Sequence, residues 1–281
     1  MMQPTFHWFS RAASGLLMLA AGTALANEPT VSPQFPDRPA DAIEGAAFVE
    51  RILNMPIAQR EADAVEEITR GNFPEFLRKL KSIPIQATGP DGKPIDGVLE
   101  LMPDYLAVGS DGDFVRLPLA PQSAQKIADS FGCTLPTRKM VDAIDAAAEA
   151  RLEPRPLTEN REAAATFLQH HHIIERQRRG HELGNLVTGI KKDVVLSPRI
   201  FERPARLAIY GWRKLDGQPI QPLTIVHHNR YVDYSHGARL VNRTMLVAGR
   251  PADIPTLLQD PARCAIVSDE GAMEPPRYPR E

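Results

Sequence analysis

Aromatic side chains are scarce: Phe, Trp and Tyr make up 6% of the 281 residues. An aromatic-lined sugar cleft is therefore not assumed. Charge of one sign is lacking too, with 33 Lys+Arg against 35 Asp+Glu and a formal net charge of −2. That balance gives no support for a nucleic-acid partner, and the local run Arg176-Gln177-Arg178-Arg179 reads as a solvated helix face. No Gly-rich phosphate loop and no Gly-x-Ser-x-Gly elbow occurs. Nucleotide-driven chemistry and the commonest serine-hydrolase patterns are disfavoured accordingly. No compact zinc motif occurs, and no cofactor or metal is expected.

What is present starts with an address. Arg11 precedes an almost wholly small or apolar stretch, Ala12 to Leu25, and Ala24-Leu25-Ala26 fits the small-x-small cleavage rule. Residues 1–26 are expected to be a signal peptide and the mature protein to be periplasmic or secreted. The apolar run is short for a bilayer span, which takes about 20 residues, so no stable membrane anchor is expected. In an oxidising compartment the only two cysteines, Cys133 and Cys264, are expected to form a disulfide. A sharper alternative makes Cys133, just before a helix, a nucleophile served by His236 or His227. Cys133-Thr134-Leu135-Pro136 lacks the small-residue signature of the well-known thiol hydrolases.

Residues 27–41 read as a flexible leader, 42–272 as one domain and 273–281 as a loose tail. Helices are expected over 42–53, 57–70, from Pro74, over 121–131, 137–152 and 162–179, and near 251–258. Strands are expected over 83–86, 97–102, 105–108 and 114–119. Later strands are expected over 193–196, 206–212, 223–227, 231–234 and 238–247, with a hairpin turn at 214–217. Helices come first and strands dominate late. The fold class predicted is α+β, with N-terminal and central helices packed on a mainly antiparallel C-terminal sheet.

Chemistry-bearing residues crowd into 181–243. In Tyr231-Val232-Asp233-Tyr234-Ser235-His236-Gly237, His236 at a strand end is a candidate acid/base, with Asp233 to fix its tautomer or act as a second acid. A structural histidine in a turn is the competing reading. Lys191-Lys192-Asp193 enters an apolar strand. Lys192 there can hold a substrate carboxylate or an oxyanion, although a lysine pair is more often a solvated loop. Tyr234, Lys191, Tyr210, Trp212, His227 and Tyr231 are candidate substrate-binding groups. His170-His171-His172 with Glu175 and His181 does not have the spacing of a metal motif.

Four segments carry a resemblance. Pro103-Asp104-Tyr105-Leu106-Ala107-Val108-Gly109-Ser110-Asp111, Leu135-Pro136-Thr137-Arg138-Lys139-Met140-Val141-Asp142, Lys191-Lys192-Asp193 and the Tyr231–Gly237 segment resemble those of an uncharacterised family of exported bacterial proteins. The likeness spans most of the mature chain. It implies export and no particular reaction.

The residues themselves point to a hydrolase acting on a cell-envelope or extracellular polymer, peptide- or amide-linked rather than glycosidic. His236 is expected in the main cleft, within reach of a carboxylate and a Lys or Tyr. The rival class is a non-catalytic envelope or ligand-binding protein that holds its ligand on Tyr210, Trp212 and Tyr231.

Overall fold

The first two helical signals fold as α1 (Gly45–Ile52) and α2 (Ile57–Thr69). Each buries one stripe, Phe48, Val49 and Ile52 on the first and Ala64, Val65 and Ile68 on the second. The structure, a computed structural model, describes residues 32–279 except 90 and 204. The expected signal segment, 1–26, lies outside the described residues.

The helix expected from Pro74 is a single 3-10 turn, Glu75–Arg78. The chain is drawn instead into β1 (Lys81–Thr88), every residue of which pairs antiparallel with β2 (Pro94–Leu101). A short hairpin follows, β3 (Ala107–Gly109) with β4 (Phe114–Arg116), and then α3 (Pro121–Ser130) and β5 (Cys133–Thr134). The Thr137 hydroxyl caps α4 (Arg138–Ala146) by accepting the Met140 amide at 3.2 Å. That helix stops short of Leu152 because β6 (Ala150–Arg151) pairs in parallel with β7 (Val187–Thr188), across α5 (Ala164–Arg178).

The remaining elements are β8 (Lys192–Val194), β9 (Ile209–Arg213), β10 (Pro219–Thr224), β11 (His236–Gly237), β12 (Val241–Asn242), β13 (Thr244–Val247), β14 (Arg250–Asp253) and α6 (Ile254–Gln259). Six strands form one sheet, in the order β14-β13-β2-β12-β5 with β1 also on β2, all antiparallel. The second sheet runs β10-β9-β8-β11, antiparallel except that β11 lies parallel to β8. The fold is α+β with a mostly antiparallel sheet. Among the described residues no helix is long and apolar enough to cross a membrane.

Four further expectations are corrected. Residues 231–234 do not form a strand. The Asp233 carboxylate takes the Ser235 amide and hydroxyl, and this local bonding turns the chain before any ladder forms. Only His236 and Gly237 then pair. The leader, from residue 32 on, is docked: Phe35 packs edge-on against Phe73 and Phe131, and Arg38 bonds the carbonyls of Ala42 and Ile43. Phe35 is partly buried, so the contact contributes about 1 kcal/mol, below the value for full burial. The tail is docked too, as far as residue 279, because the buried Tyr278 hydroxyl donates to the Val195 carbonyl and accepts the Ala208 amide. Finally, Cys133 and Cys264 are not joined. Each is buried against a carbonyl of its own neighbourhood, Cys133 beside Phe131 on β5 and Cys264 beside Pro261 at a 3-10 turn.

Candidate functional site

Lys192 and His236 are partners in the parallel pair of β8 and β11, and the Lys192 amide donates to the Ser235 carbonyl at 2.7 Å. The imidazole of His236 is 0% exposed. Neither of its nitrogens has a protein partner. Above it lie the half-buried rings of Tyr231, at 5.7 Å between centroids, and His227, at 6.4 Å. His227 and Tyr231 stack on one another at 4.5 Å and cover His236. Burial pushes the His236 pKa down to about 3, against the pull of Asp233. The ring is neutral at physiological pH.

Asp233 does not orient that ring. One carboxylate oxygen accepts from Ser235, and the other from Arg161 at 2.7 Å and from the Tyr231 hydroxyl at 3.0 Å. Burial raises its pKa, but His236 and the bonds from Ser235 and Arg161 outweigh that and hold it well below the usual carboxylate range. An acid role at neutral pH therefore has no support. Arg161 carries no sequence signal; it sits in a loop far from Asp233 along the chain.

Lys191, one of a pair whose composition suits a solvated loop, is instead 1% exposed and donates to the Tyr234 carbonyl. Burial and the charge of Arg116 lower its pKa to about 7. Lys192 lies 5.5 Å from the centre of the Trp212 ring. Gly211 at φ +95° and Trp212 at φ +53° break the strand alternation. Trp212 thereby turns toward Lys192, His170 and Tyr234, while the Tyr210 hydroxyl accepts from Arg213 at 2.8 Å. A bulky residue at positive φ is strained, and such strain persists where surrounding structure enforces it. The Tyr234 hydroxyl is spent on the backbone of Leu157.

The opposite side of β8 carries a second buried group. Asp193 accepts from the Tyr105 hydroxyl at 2.9 Å, and burial raises its pKa to about 6. Arg116, fully buried, pairs with the buried Asp104 and the partly exposed Glu175 and contacts His171 at 3.3 Å. Asp104, Tyr105 and Arg116 lie outside the expected set; Asp104 and Tyr105 stand in one of the resembling segments.

Ten buried side-chain polar atoms among the described residues lack a protein partner, and five of them belong to His170, Asp193, Trp212 and His236. Half of these unsatisfied atoms therefore lie around one small sheet, which makes it the candidate region. The expected cleft is elsewhere: a cavity of about 650 Å³ beside α2 and α3 and one of about 470 Å³ at the end of α5 are lined by other residues. Cys133 is a poor nucleophile, since burial pushes its thiol up to about 12. No group of three or more His, Cys, Asp or Glu among the described residues is placed to hold a metal ion.

The chain matches no family model, no curated protein and no solved structure.

Proposed function

We propose that the mature protein is an exported hydrolase acting on a peptide- or amide-linked polymer of the cell envelope, with His236 as its acid/base. One observation carries this reading: a buried, neutral imidazole with both nitrogens uncommitted, beside Lys192. In the reaction, His236 takes a proton from water as the water oxygen adds to the amide carbonyl, and it returns the proton to the departing amine as the C–N bond breaks. Lys192 stabilises the oxyanion. Asp233 serves by fixing Arg161 and Tyr231 rather than by moving protons. The His227–Tyr231 stack has to swing outward for the scissile bond to reach His236.

A second reading, a non-catalytic ligand-binding protein, is favoured by the complete burial of His236 and the full commitment of the Asp233 oxygens. Release of new amino groups from cross-linked peptide polymer separates the two. Hydrolysis by wild type that falls about 100-fold or more in His236→Ala supports catalysis. Equal turnover by that variant overturns the role of His236, and no release by wild type leaves the binding protein.

A further inference from the structure

Helix α5 ends at a cavity of about 470 Å³ whose lining is almost wholly basic: His172, Arg176, Arg178, Arg179 and His181, with Glu175 as its one acid. Helical spacing puts His172 and Arg176, at i and i+4, on one face of α5. Arg179 and His181 come from the turn beyond it. That turn is closed by the His181 amide on the Arg178 carbonyl at 2.9 Å, and Gly180 at φ +97° supplies the left-handed step it needs. The Arg178 guanidinium donates to the His181 carbonyl at 3.1 Å and holds the turn against the helix end.

The charges of the lining do not cancel. Glu175 accepts from Arg178 at 2.6 Å and from Arg116 at 2.8 Å, and Arg116 also pairs with Asp104. Two carboxylates there meet two guanidiniums, and that set is balanced. Arg176 and Arg179 are left over. Both are exposed, and among the described residues neither side chain has a hydrogen bond or an ion pair. Surface arginines elsewhere do have carboxylates, as Arg138 has Asp269 and Arg277 has Asp129. The negative end of a helix dipole amounts to about half a charge and does not offset two cations.

The surroundings limit the size of the anion. An adjoining hollow of about 310 Å³ shares His172, Glu175 and Arg178 but adds Asp111 and Asp113. The basic surface stops there, so a long polyanion such as a nucleic acid finds no track to follow. A small anion with a charge near −2 matches the excess. Its acceptors have to meet donors from two separate elements, the helix face and the turn. A phosphate group presents three oxygens spread tetrahedrally and carries about −1.5 to −2 at pH 7. A carboxylate offers two oxygens in one plane and a single charge.

We propose that this cavity binds a small phosphate-bearing ligand, held between Arg176 and Arg179 with His172 and His181 as further donors. Guanidinium suits the group because its paired N–H bonds match phosphate oxygens. The volume falls in the range of small-ligand sites, roughly 300–1,000 Å³. The cavity shares no residue with the surroundings of His236, and the inference does not depend on the hydrolase reading.

Titration of the purified protein with glycerol 3-phosphate, followed by calorimetry and by the Nε–H signals of Arg176 and Arg179, tests it. Saturable binding tighter than about 1 mM is expected, with both signals shifting. Malonate, a dianion without a tetrahedral group, should bind about fivefold or more weaker. Arg176→Gln combined with Arg179→Gln should weaken binding about tenfold or more at an unchanged thermal midpoint, since both positions are exposed. Lys214→Gln, which removes an exposed cation in the β9–β10 turn, should bind as wild type does. Vesicles of phosphatidylcholine containing phosphatidic acid distinguish the two sources of the group. Co-sedimentation that the double variant loses assigns a lipid headgroup; glycerol 3-phosphate binding without co-sedimentation assigns a free phosphate ester. The proposal is overturned by the absence of saturable binding, by malonate binding as tightly, by a double variant that binds as wild type does, or by Lys214→Gln weakening binding as much as the pair.

Discussion

Lys192 and His236 sit side by side because two strands that are distant in the chain pair in parallel. A cation beside a neutral buried imidazole is costly unless something else holds the pair, and here Trp212 lies against Lys192 while Asp233 supplies the opposite charge nearby.

The His236 pKa is lowered in the folded state, to about 3 from an ordinary 6.5. Between those values the unfolded chain binds more protons than the folded one, so stability is lost as pH falls from about 6.5 toward 3. Buried His170 and His171, whose pKa values burial also lowers, add to the same loss. Thermal midpoints measured across this range should drop for wild type and drop less steeply for His236→Gln. Parallel curves for the two proteins would contradict the assignment.

The Lys191 pKa falls to about 7 in the folded state from an ordinary 10.5. Folding is penalised below pH 7, and the penalty lifts as pH rises through that window toward 10.5. Lys191→Met should flatten the stability profile between pH 7 and 10. A variant whose profile keeps the wild-type slope there would show that the ammonium is not the group responsible.

Arg161→Ala leaves the buried Asp233 carboxylate with Ser235 and Tyr231 only. A loss of about 2 kcal/mol in denaturant unfolding is expected, discounted for the third of the Arg161 side chain that is exposed. Arg161→Lys should recover part of it. Tyr231 also loses a tether, so the emission of Trp212 and the exchange of nearby ring protons should change as well.

Tyr278→Phe removes a hydroxyl that satisfies both the Ala208 amide and the Val195 carbonyl in the core. The expected cost is about 1–3 kcal/mol. An unchanged unfolding midpoint would show that the tail does not contribute as its contacts indicate.

Both thiols should be counted as free in protein unfolded without reductant, and neither should react quickly in the folded protein, since both are buried. Cys133→Ala should leave any hydrolysis intact. Loss of hydrolysis in a variant that still folds would return Cys133 to the list of nucleophiles.

Much of the fold was legible locally. The apolar stripes of α1 and α2 and the alternation through β2 lie in the order of residues, because helix and strand periodicities are written at short range. Of the side chains of 181–243, Lys192, Tyr210, Trp212 and His236 come together on β8, β9 and β11, whereas His181 lines the cavity at the end of α5 and His228 is exposed. The amino-acid sequence by itself determined which side chains were available and which segments carried helix or strand periodicity. Only the tertiary structure decided that Lys191 is buried, that Asp233 answers to Arg161 rather than to His236, and that Trp212 turns to Lys192 through a strained backbone. It alone decided that Phe35 and Tyr278 tie down segments whose Pro-rich composition reads as loose. The physical reason is the same in each case. Burial, charge pairing and register depend on contacts between residues far apart in the chain, and local periodicity carries no record of them.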